Sequence, residues 1–506
     1  MIREFAGRCR SRARATIPAG LAAALLCLAP ALKAQIPLVQ LSTDPFTNTT
    51  SQHATEVEPD SFAFGSTIVT TFQQGRFTDG GASDIGWATS LDGGATWTHG
   101  SLPGVTTVQG QGNPYDRDSD PSVTYDPKHG EWLISSLPLV NSGREIPAVI
   151  VSRSTDGINW DNPVSVTGNV SSSDKDWIVC DTWAGSPYYG NCYVEWDNPS
   201  SGDQITMSTS TDGGATWGPA LHPSGNGYGL GGQPVVQPNG TVVVPYEGSG
   251  IQEFTSTNGG ASWNKPVTVA NISDHGEAGG LRSSPLPSAA VDGAGRIFVV
   301  WQDCRFRTGC AENDIVLSTS FDGVTWTAVT RIPADPTTST VDHFIPGIDV
   351  DRTTSGRGAH VAVTYYQYTK SSCTVSTCQL GVSFISSING GVTWSAPKHL
   401  GSVMQLGWLP STTLGTMVGD YISTSYVNGK AFGVFAEAKA KSGGTFNESM
   451  YTTASGLSAE EGGPTLSSAG DMPVPGAKSD HGPRKDQDER GAHKPPAKRA
   501  RKVAKK

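Results

Sequence analysis

Charge is scarce in this chain: Asp, Glu, Lys and Arg together make up 16 % of its 506 residues. No stretch sustains the 3.6-residue apolar period of a long amphipathic helix, which excludes a helical bundle. Basic charge is missing from the body of the chain in particular. Residues 1–34 contribute a net +5 and residues 484–506 a net +7, so the remainder carries −22 of the overall −10. An acidic body disfavours nucleic acid, whose backbone needs a basic surface. Long apolar runs are also absent. The stretch from Ile17 to Leu32 is too short and too weakly hydrophobic for a stable membrane span, so no spanning segment is expected. What is abundant is glycine, at 61 residues, between short apolar runs broken by Asn, Asp, Ser and Pro. That is the pattern of an all-β protein.

The N-terminus reads as a secretory signal: Arg3, Arg8, Arg10, Arg12 and Arg14 precede the apolar stretch, and cleavage is expected after Ala34. Six cysteines then remain, in three close pairs: Cys180/Cys192, Cys304/Cys310 and Cys373/Cys378. An even count in local pairs suits an oxidising compartment, so disulfides and a secreted location, extracellular or periplasmic, are expected. Residues 456–506 are rich in Pro, Gly and Ala and end in a basic cluster that includes Lys498, Arg499, Arg501 and Lys502. Such a composition buries too little apolar area to fold and reads as a solvated tail, with contact to an anionic cell surface as the alternative. The folded domain is therefore expected over residues 35–455, as a monomer.

Six segments share the pattern Ser-x-(Asp/Asn)-Gly-(Gly)-x-(Thr/Ser/Asn)-Trp: Ser90 to Trp97, Ser154 to Trp160, Ser210 to Trp217, Ser256 to Trp263, Ser320 to Trp326 and Ser387 to Trp394. Six of the thirteen tryptophans occupy this one position. The physical logic is a tight hairpin in which the Asp or Asn accepts from turn N–H groups and Gly supplies the positive-φ positions. The acidic or Asn positions are 46 to 67 residues apart, enough for four short strands each. A strand pair before the boxes recurs, as in Pro121–Asp126 with Trp132–Ser136, and appears once more after the last box. That last unit needs an outer strand, which Ile36–Ser42 can supply.

These segments resemble the Asp-box (BNR) repeat of sialidase-like β-propellers, where the box is structural. The resemblance covers most of residues 36–455 and implies a β-propeller, of seven blades or, if one unit is irregular, six. It implies a glycoside hydrolase acting on glycan termini, of exo-α-sialidase type. Residue by residue, Arg76 and either Asp79 or Asp84 are similar to the stretch where an arginine and the acid/base Asp precede the first box. Gly419-Asp420-Tyr421 resembles the segment carrying the family's tyrosine nucleophile, so Tyr421 is the candidate, with Glu247 or Glu277 as the carboxylate base a phenol nucleophile needs. Arg282 and Arg305 are the further candidates for gripping a substrate carboxylate. The sequence departs from the family at the first arginine: where Phe-Arg-Ile-Pro is expected it has Glu56-Val57-Glu58-Pro59. The literal Arg331-Ile332-Pro333 falls on an outer strand.

Acidic residues recur where the innermost strands begin: Asp60, Asp118, Asp120, Asp174, Asp176, Asp342 and Asp420. Around a shared axis they would form a carboxylate ring. Such a ring repels an anionic sugar and favours Ca²⁺, a cationic ligand or paired-carboxylate chemistry; local capping of strand-entering turns explains the same residues without function. No metal site is assigned and no cofactor is required. Two functions therefore stand beside the sialidase-type hydrolase: a non-catalytic glycan- or protein-binding surface propeller, and a carboxylate-based glycan hydrolase or lyase, with or without calcium.

Overall fold

A computed structural model of the chain describes residues 35–167 and 172–461. The expected signal segment and the tail from residue 462 onward lie outside the described residues. The described chain is all-β, with only short 3₁₀ turns besides strands. No helix among the described residues is long and apolar enough to cross a membrane.

The strands form small antiparallel sheets in chain order, numbered here from the N-terminal side. Sheet 1 holds Glu56–Phe64, Thr67–Arg76, Ala82–Ser90 and Thr98–Ser101, and sheet 2 holds Arg117–Asp126, Glu131–Leu139, Ile150–Ser154 and Val164–Ser165. One bridge, Ala82 to Asp118, joins these two. Sheet 3 has three strands, Asp174–Cys180, Cys192–Asn198 and Gln204–Ser210, and Cys180–Cys192 ties its first two together as a disulfide. Sheets 4, 5 and 6 have four strands each and begin at Val235–Val236, Ser288–Val291 and Asp342–Val350. Sheet 7 combines Ser423–Val427, Lys430–Ala438 and Glu448–Thr453 with the N-terminal strand Leu38–Gln40. Leu38 pairs with Thr453 and Gln40 with Tyr451, so the first described strand closes the last sheet, as its position in the sequence predicts. The cysteine pairs also meet as expected, Cys304 with Cys310 and Cys373 with Cys378.

The first strands of the sheets touch one another in cyclic order, sheet 7 returning to sheet 1. Adjacent first strands are linked by side chains rather than by a backbone ladder. Val123 N donates to Asp60 Oδ2 at 2.8 Å, Ile178 N to Ser122 Oγ at 3.2 Å, and Ala289 N to Gln233 Oε1 at 3.0 Å. Ile348 N donates to Ser288 Oγ at 3.2 Å, Tyr426 N to Asp349 Oδ2 at 2.7 Å, and Ser61 N to Ser423 Oγ at 3.0 Å. Short polar residues on these strands are therefore structural, since an inward N–H without a partner would be costly. Asp60 is one of them. Burial raises its pKa to about 6 against the hydrogen bonds it accepts.

Between consecutive sheets lie seven apolar clusters among the described residues. Each repeat tryptophan enters the cluster shared by its own sheet and the sheet before. Trp160 joins Val69 and Trp87 of sheet 1, Trp263 joins Tyr193 of sheet 3, and Trp394 joins Phe298 of sheet 5. The turn before each tryptophan follows one hydrogen-bond scheme, tightened by a residue in the shorter boxes at Ser154 and Ser320. In the first, Ser90 Oγ donates to Asp92 Oδ1 at 2.8 Å, Gly94 N to Ser90 Oγ at 2.8 Å, and Thr96 N to Asp92 Oδ1 at 2.8 Å. These donors hold the Asp92 carboxyl near pKa 2, the Thr96 hydroxyl contributing most.

Candidate functional site

The axis has two ends, named here for the ends of the first strands that surround them. At the amino mouth, four first strands carry a bulge just after their start, one of them between Phe344 and Pro346 with Ile345 at φ 48°. In the other three, register slips between Val57 and Asp60, between Ser119 and Ser122, and between Asp174 and Trp177. Their bulged residues Glu58, Asp120 and Lys175 have φ of 55°, 46° and 48°. A left-handed conformation at a non-glycine residue costs about 1–2 kcal/mol. Glu58 and Asp120 each precede a proline, which further restricts them. Strain of this kind, repeated at equivalent places, marks the mouth as a constructed site.

The side chains of Glu58, Asp120 and Lys175 meet sheet 7 and the strand-connecting loop ahead of sheet 5. Lys175 Nζ pairs with Asp420 Oδ2 and stands 3.7 Å from Glu58 Oε1. Arg282 grips Asp420 with two parallel bonds, Nε to Oδ1 at 2.7 Å and Nη2 to Oδ2 at 2.5 Å. Gln73 Nε2 donates to Glu58 Oε2. Burial opposes the charge on Asp420, yet Arg282 and Lys175 hold its carboxyl far below the usual carboxylate range. Burial likewise opposes the charge on Lys175, and Asp120, Asp420 and Glu58 more than offset it. For Glu58, burial and the negative Asp120 push the pKa well up.

Tyr421 lies in this cluster, edge-on to Trp177 with ring centroids 5.1 Å apart. Its phenol is driven well above its ordinary pKa, by burial first and then by the negative Glu58, Asp120, Asp176 and Asp60. Glu58, Asp120, Asp176 and Asp60 are thus the carboxyl groups nearest in effect to the Tyr421 phenol, in place of the expected Glu247 or Glu277. Glu247 is half-buried at the end of its strand, its backbone paired with Leu230, and is not among the charges acting most strongly on Tyr421.

The expected arginine clamp is not assembled. Arg282 is at the mouth, with its guanidinium on Asp420. Arg305 forks onto Asp303, Nε to Oδ1 at 2.8 Å and Nη2 to Oδ2 at 2.7 Å, within its own loop. Arg76 is fully buried and donates to the Gly81 carbonyl at 2.9 Å. Asp79 is half-exposed in an ion pair with Arg117 at 2.7 Å. Asp84 is fully buried, raised by burial and then by Asp118. Arg76, Asp79 and Asp84 line neither axial cavity, and nor do His275, Glu277 and Asp342.

The expected carboxylate ring is partly present and differently balanced. Glu58, Asp120 and Asp420 do converge, but Lys175 and Arg282 stand among them, so the chain supplies its own cations. Asp60 is drawn off to link strands, and Asp342 belongs to a second cluster beside the first. Among the described residues, the one group with metal-ligating geometry is Asp314, Asp335 and His343. Arg307 and Arg331 already bind its two carboxylates, which leaves little attraction for a cation.

Of the second cluster the sequence singles out Glu277 and Asp342 but not His275. In the loop before sheet 5, His275 Nε2 lies 3.0 Å from Asp342 Oδ2, a carboxylate with no solvent exposure. Asp342 Oδ1 also accepts from Asn313 N at 2.7 Å. Asn313 Nδ2 in turn donates to the His275 carbonyl at 2.7 Å and to Glu277 Oε1 at 3.1 Å. Gln302 Nε2 donates to the same Glu277 oxygen at 2.9 Å. Burial, then Asp274 and Asp342, raise Glu277 to about 8. The cluster thus places an imidazole held by a buried carboxylate beside a second carboxyl group whose pKa burial raises. These are the parts of an acid–base pair. Its sequence signal is a bare Ser273-Asp274-His275-Gly276-Glu277 stretch in a loop, with Asp342 far along the chain.

No protein-family model matches the chain, and no curated protein matches it. Among solved structures, a Hadza microbial sialidase is similar at 16 % identity and TM-score 0.43, over 62 % of this chain and 64 % of that one. This chain therefore spans less than two thirds of that protein. The NanB sialidase of Streptococcus pneumoniae is similar at 14 % identity and TM-score 0.41, over 82 % and 70 %. An ulvan lyase, described as a new polysaccharide lyase family, is similar at 11 % identity and TM-score 0.49, over 86 % and 100 %. Likeness at this level assigns neither family nor activity.

Proposed function

We propose that the protein is a secreted seven-bladed β-propeller that cleaves a glycan by general acid–base chemistry at the amino mouth. The propeller reading is supported by the cyclic contact of the first strands and the apolar cluster between each pair of sheets. Three disulfides fit an oxidising compartment. The glycan reading is supported by the resemblance of the six boxes to sialidase-like repeats.

One observation carries the chemistry: the His275–Asp342 contact beside a Glu277 raised to about 8. Asp342 holds the imidazole in place through Nε2. His275 takes the proton, from water in a hydrolysis or from carbon in an elimination. Glu277 delivers its proton to the departing glycosidic oxygen. Exo-α-sialidase action through Tyr421 is the less favoured route, because Arg282 is committed to Asp420 and the phenol resists ionisation. A second reading, a binding propeller without catalysis, is favoured by the burial of Tyr421, Lys175 and Asp420 at this mouth.

The test is a panel of polysaccharides and a fluorogenic sialoside, offered to the mature protein. New reducing ends are measured, together with the ultraviolet absorbance of an unsaturated uronate. Cleavage of a polysaccharide, without fluorophore release from the sialoside, is expected. The absorbance separates elimination from hydrolysis. A folded protein that cleaves nothing on the panel supports the binding reading, and release from the sialoside restores the sialidase one.

A further inference from the structure

The carboxyl mouth, at the opposite end of the axis, is open where the amino mouth is filled. A cavity of about 470 Å³ is lined there by residues from the first strands of all seven sheets and the turns that follow them. That volume lies within the range of small-molecule sites. Trp177 lies on both axial cavities, so the Trp177–Tyr421 pair stands between them.

Arg352 spans this cavity. It follows the first strand of sheet 6, yet its guanidinium lies 5.6 Å from the Phe62 ring of sheet 1 and 5.5 Å from the Trp183 ring beyond sheet 3. Nη1 donates to Thr182 Oγ1 at 2.7 Å. The Trp183 ring is itself fixed, its Nε1 donating to the Val236 carbonyl at 2.7 Å. Asp60, Asp349 and Asp351 line the same cavity. So does Tyr426, whose buried hydroxyl has no hydrogen-bond partner. That hydroxyl is available to a polar group that enters the cavity.

Charge selects the ligand's class. Arg352, immobilised between two aromatic rings, repels a cation. The three aspartates repel an anion. A neutral ring with hydroxyl groups satisfies both: one hydroxyl accepts from Tyr426, another donates to Asp351, and its C–H face lies on Trp177 or Trp183. We infer that the carboxyl-mouth cavity is a binding site for one neutral sugar residue, separate from the acid–base cluster at the other mouth. The site holds or senses glycan and performs no chemistry.

The test titrates the mature protein with D-galactose, D-glucose, L-rhamnose and N-acetyl-D-glucosamine, following tryptophan fluorescence and calorimetric heat. N-acetylneuraminic acid and tetramethylammonium serve as the charged comparisons. Saturable binding of at least one neutral sugar is expected, with neither charged probe binding. Tyr426→Phe, which removes only the hydroxyl, weakens that binding about tenfold, the equivalent of one hydrogen bond. Trp183→Leu weakens it at least as much. His275→Asn leaves it unchanged, so loss of glycan cleavage and loss of this site are read separately. The inference is overturned if no neutral sugar binds, if Tyr426→Phe and Trp183→Leu bind as the parent does, or if a charged probe binds this cavity instead.

Discussion

Replacing Asp420 by Asn tests whether the amino mouth is a water-excluded charge cluster. Asp420 is 3 % exposed, Lys175 4 % and Arg282 5 %. The substitution keeps the shape and one acceptor but removes the negative charge that both cations share. Glu58, 3.7 Å from Lys175, and Asp120 remain as partial compensation for Lys175. Arg282 loses one arm of its fork and the charge that both arms shared. Breaking a buried ion pair by removing one partner costs about 3–5 kcal/mol. Urea unfolding at neutral pH, followed by tryptophan fluorescence, should show a loss in that range. The double variant Asp420→Leu with Arg282→Met removes the stranded charge along with its partner, and recovers most of the loss. A loss below about 1 kcal/mol in the single variant, the size of an exposed pair, would refute the burial and the geometry together.

Four further outcomes follow from the same structure. Glu253 is 1 % exposed, and burial, then Asp322, raise its pKa to about 9. The folded protein holds this proton more tightly than the unfolded chain, so stability falls as pH rises from about 4.3 toward 9. In Glu253→Gln that part of the pH slope disappears, as parallel denaturant titrations would show. Asp156 and Asp322 behave oppositely, with pKa lowered to about 2: Asp156 by hydrogen bonds from Asn159 that outweigh its burial, Asp322 chiefly by the backbone N–H of Thr325. Their stabilisation is complete above the unfolded value of about 3.9 and is lost as pH falls through about 2, so replacing both by Asn flattens the acid limb of the stability curve. Trp394, 1 % exposed between sheets 5 and 6, should cost about 3–5 kcal/mol on truncation to Ala, read as a shift in urea midpoint. Loss of the Cys180–Cys192 bridge, which spans 12 residues, should cost about 3 kcal/mol by the same assay on a double Ser variant.

The repeats were legible because local chemistry writes them. A Ser, an Asp or Asn, a Gly and a Trp at fixed spacing determine a turn, and the turn places the tryptophan against the neighbouring sheet. Leu38–Gln40 was legible as a closing strand because the last unit visibly lacked one. Sheet 3 shows the limit: no fourth strand forms after Ser210, although its box is intact. The site was harder to read because it depends on contacts across the ring. Asp420 and Lys175 are 245 residues apart, and nothing local marks Lys175, between two aspartates, as the cation that neutralises them. Arg282 was identified, but its partner was not. His275 was missed because a single loop histidine becomes informative only when Asp342 is seen behind it. Arg76 and Asp79 or Asp84 came from resemblance around the first box, and Arg76 and Asp84 are buried in its hairpin while Asp79 pairs with Arg117.

The most direct measurement compares turnover of the cleaved polysaccharide by His275→Asn, Glu277→Gln and Tyr421→Phe, each verified as folded. Removing a general acid or base costs about 10²–10⁴ in rate. The first two variants should fall by at least the lower figure, while Tyr421→Phe stays close to the parent. Near-parental turnover in His275→Asn and Glu277→Gln, with loss in Tyr421→Phe, would contradict the account and place the chemistry on the phenol.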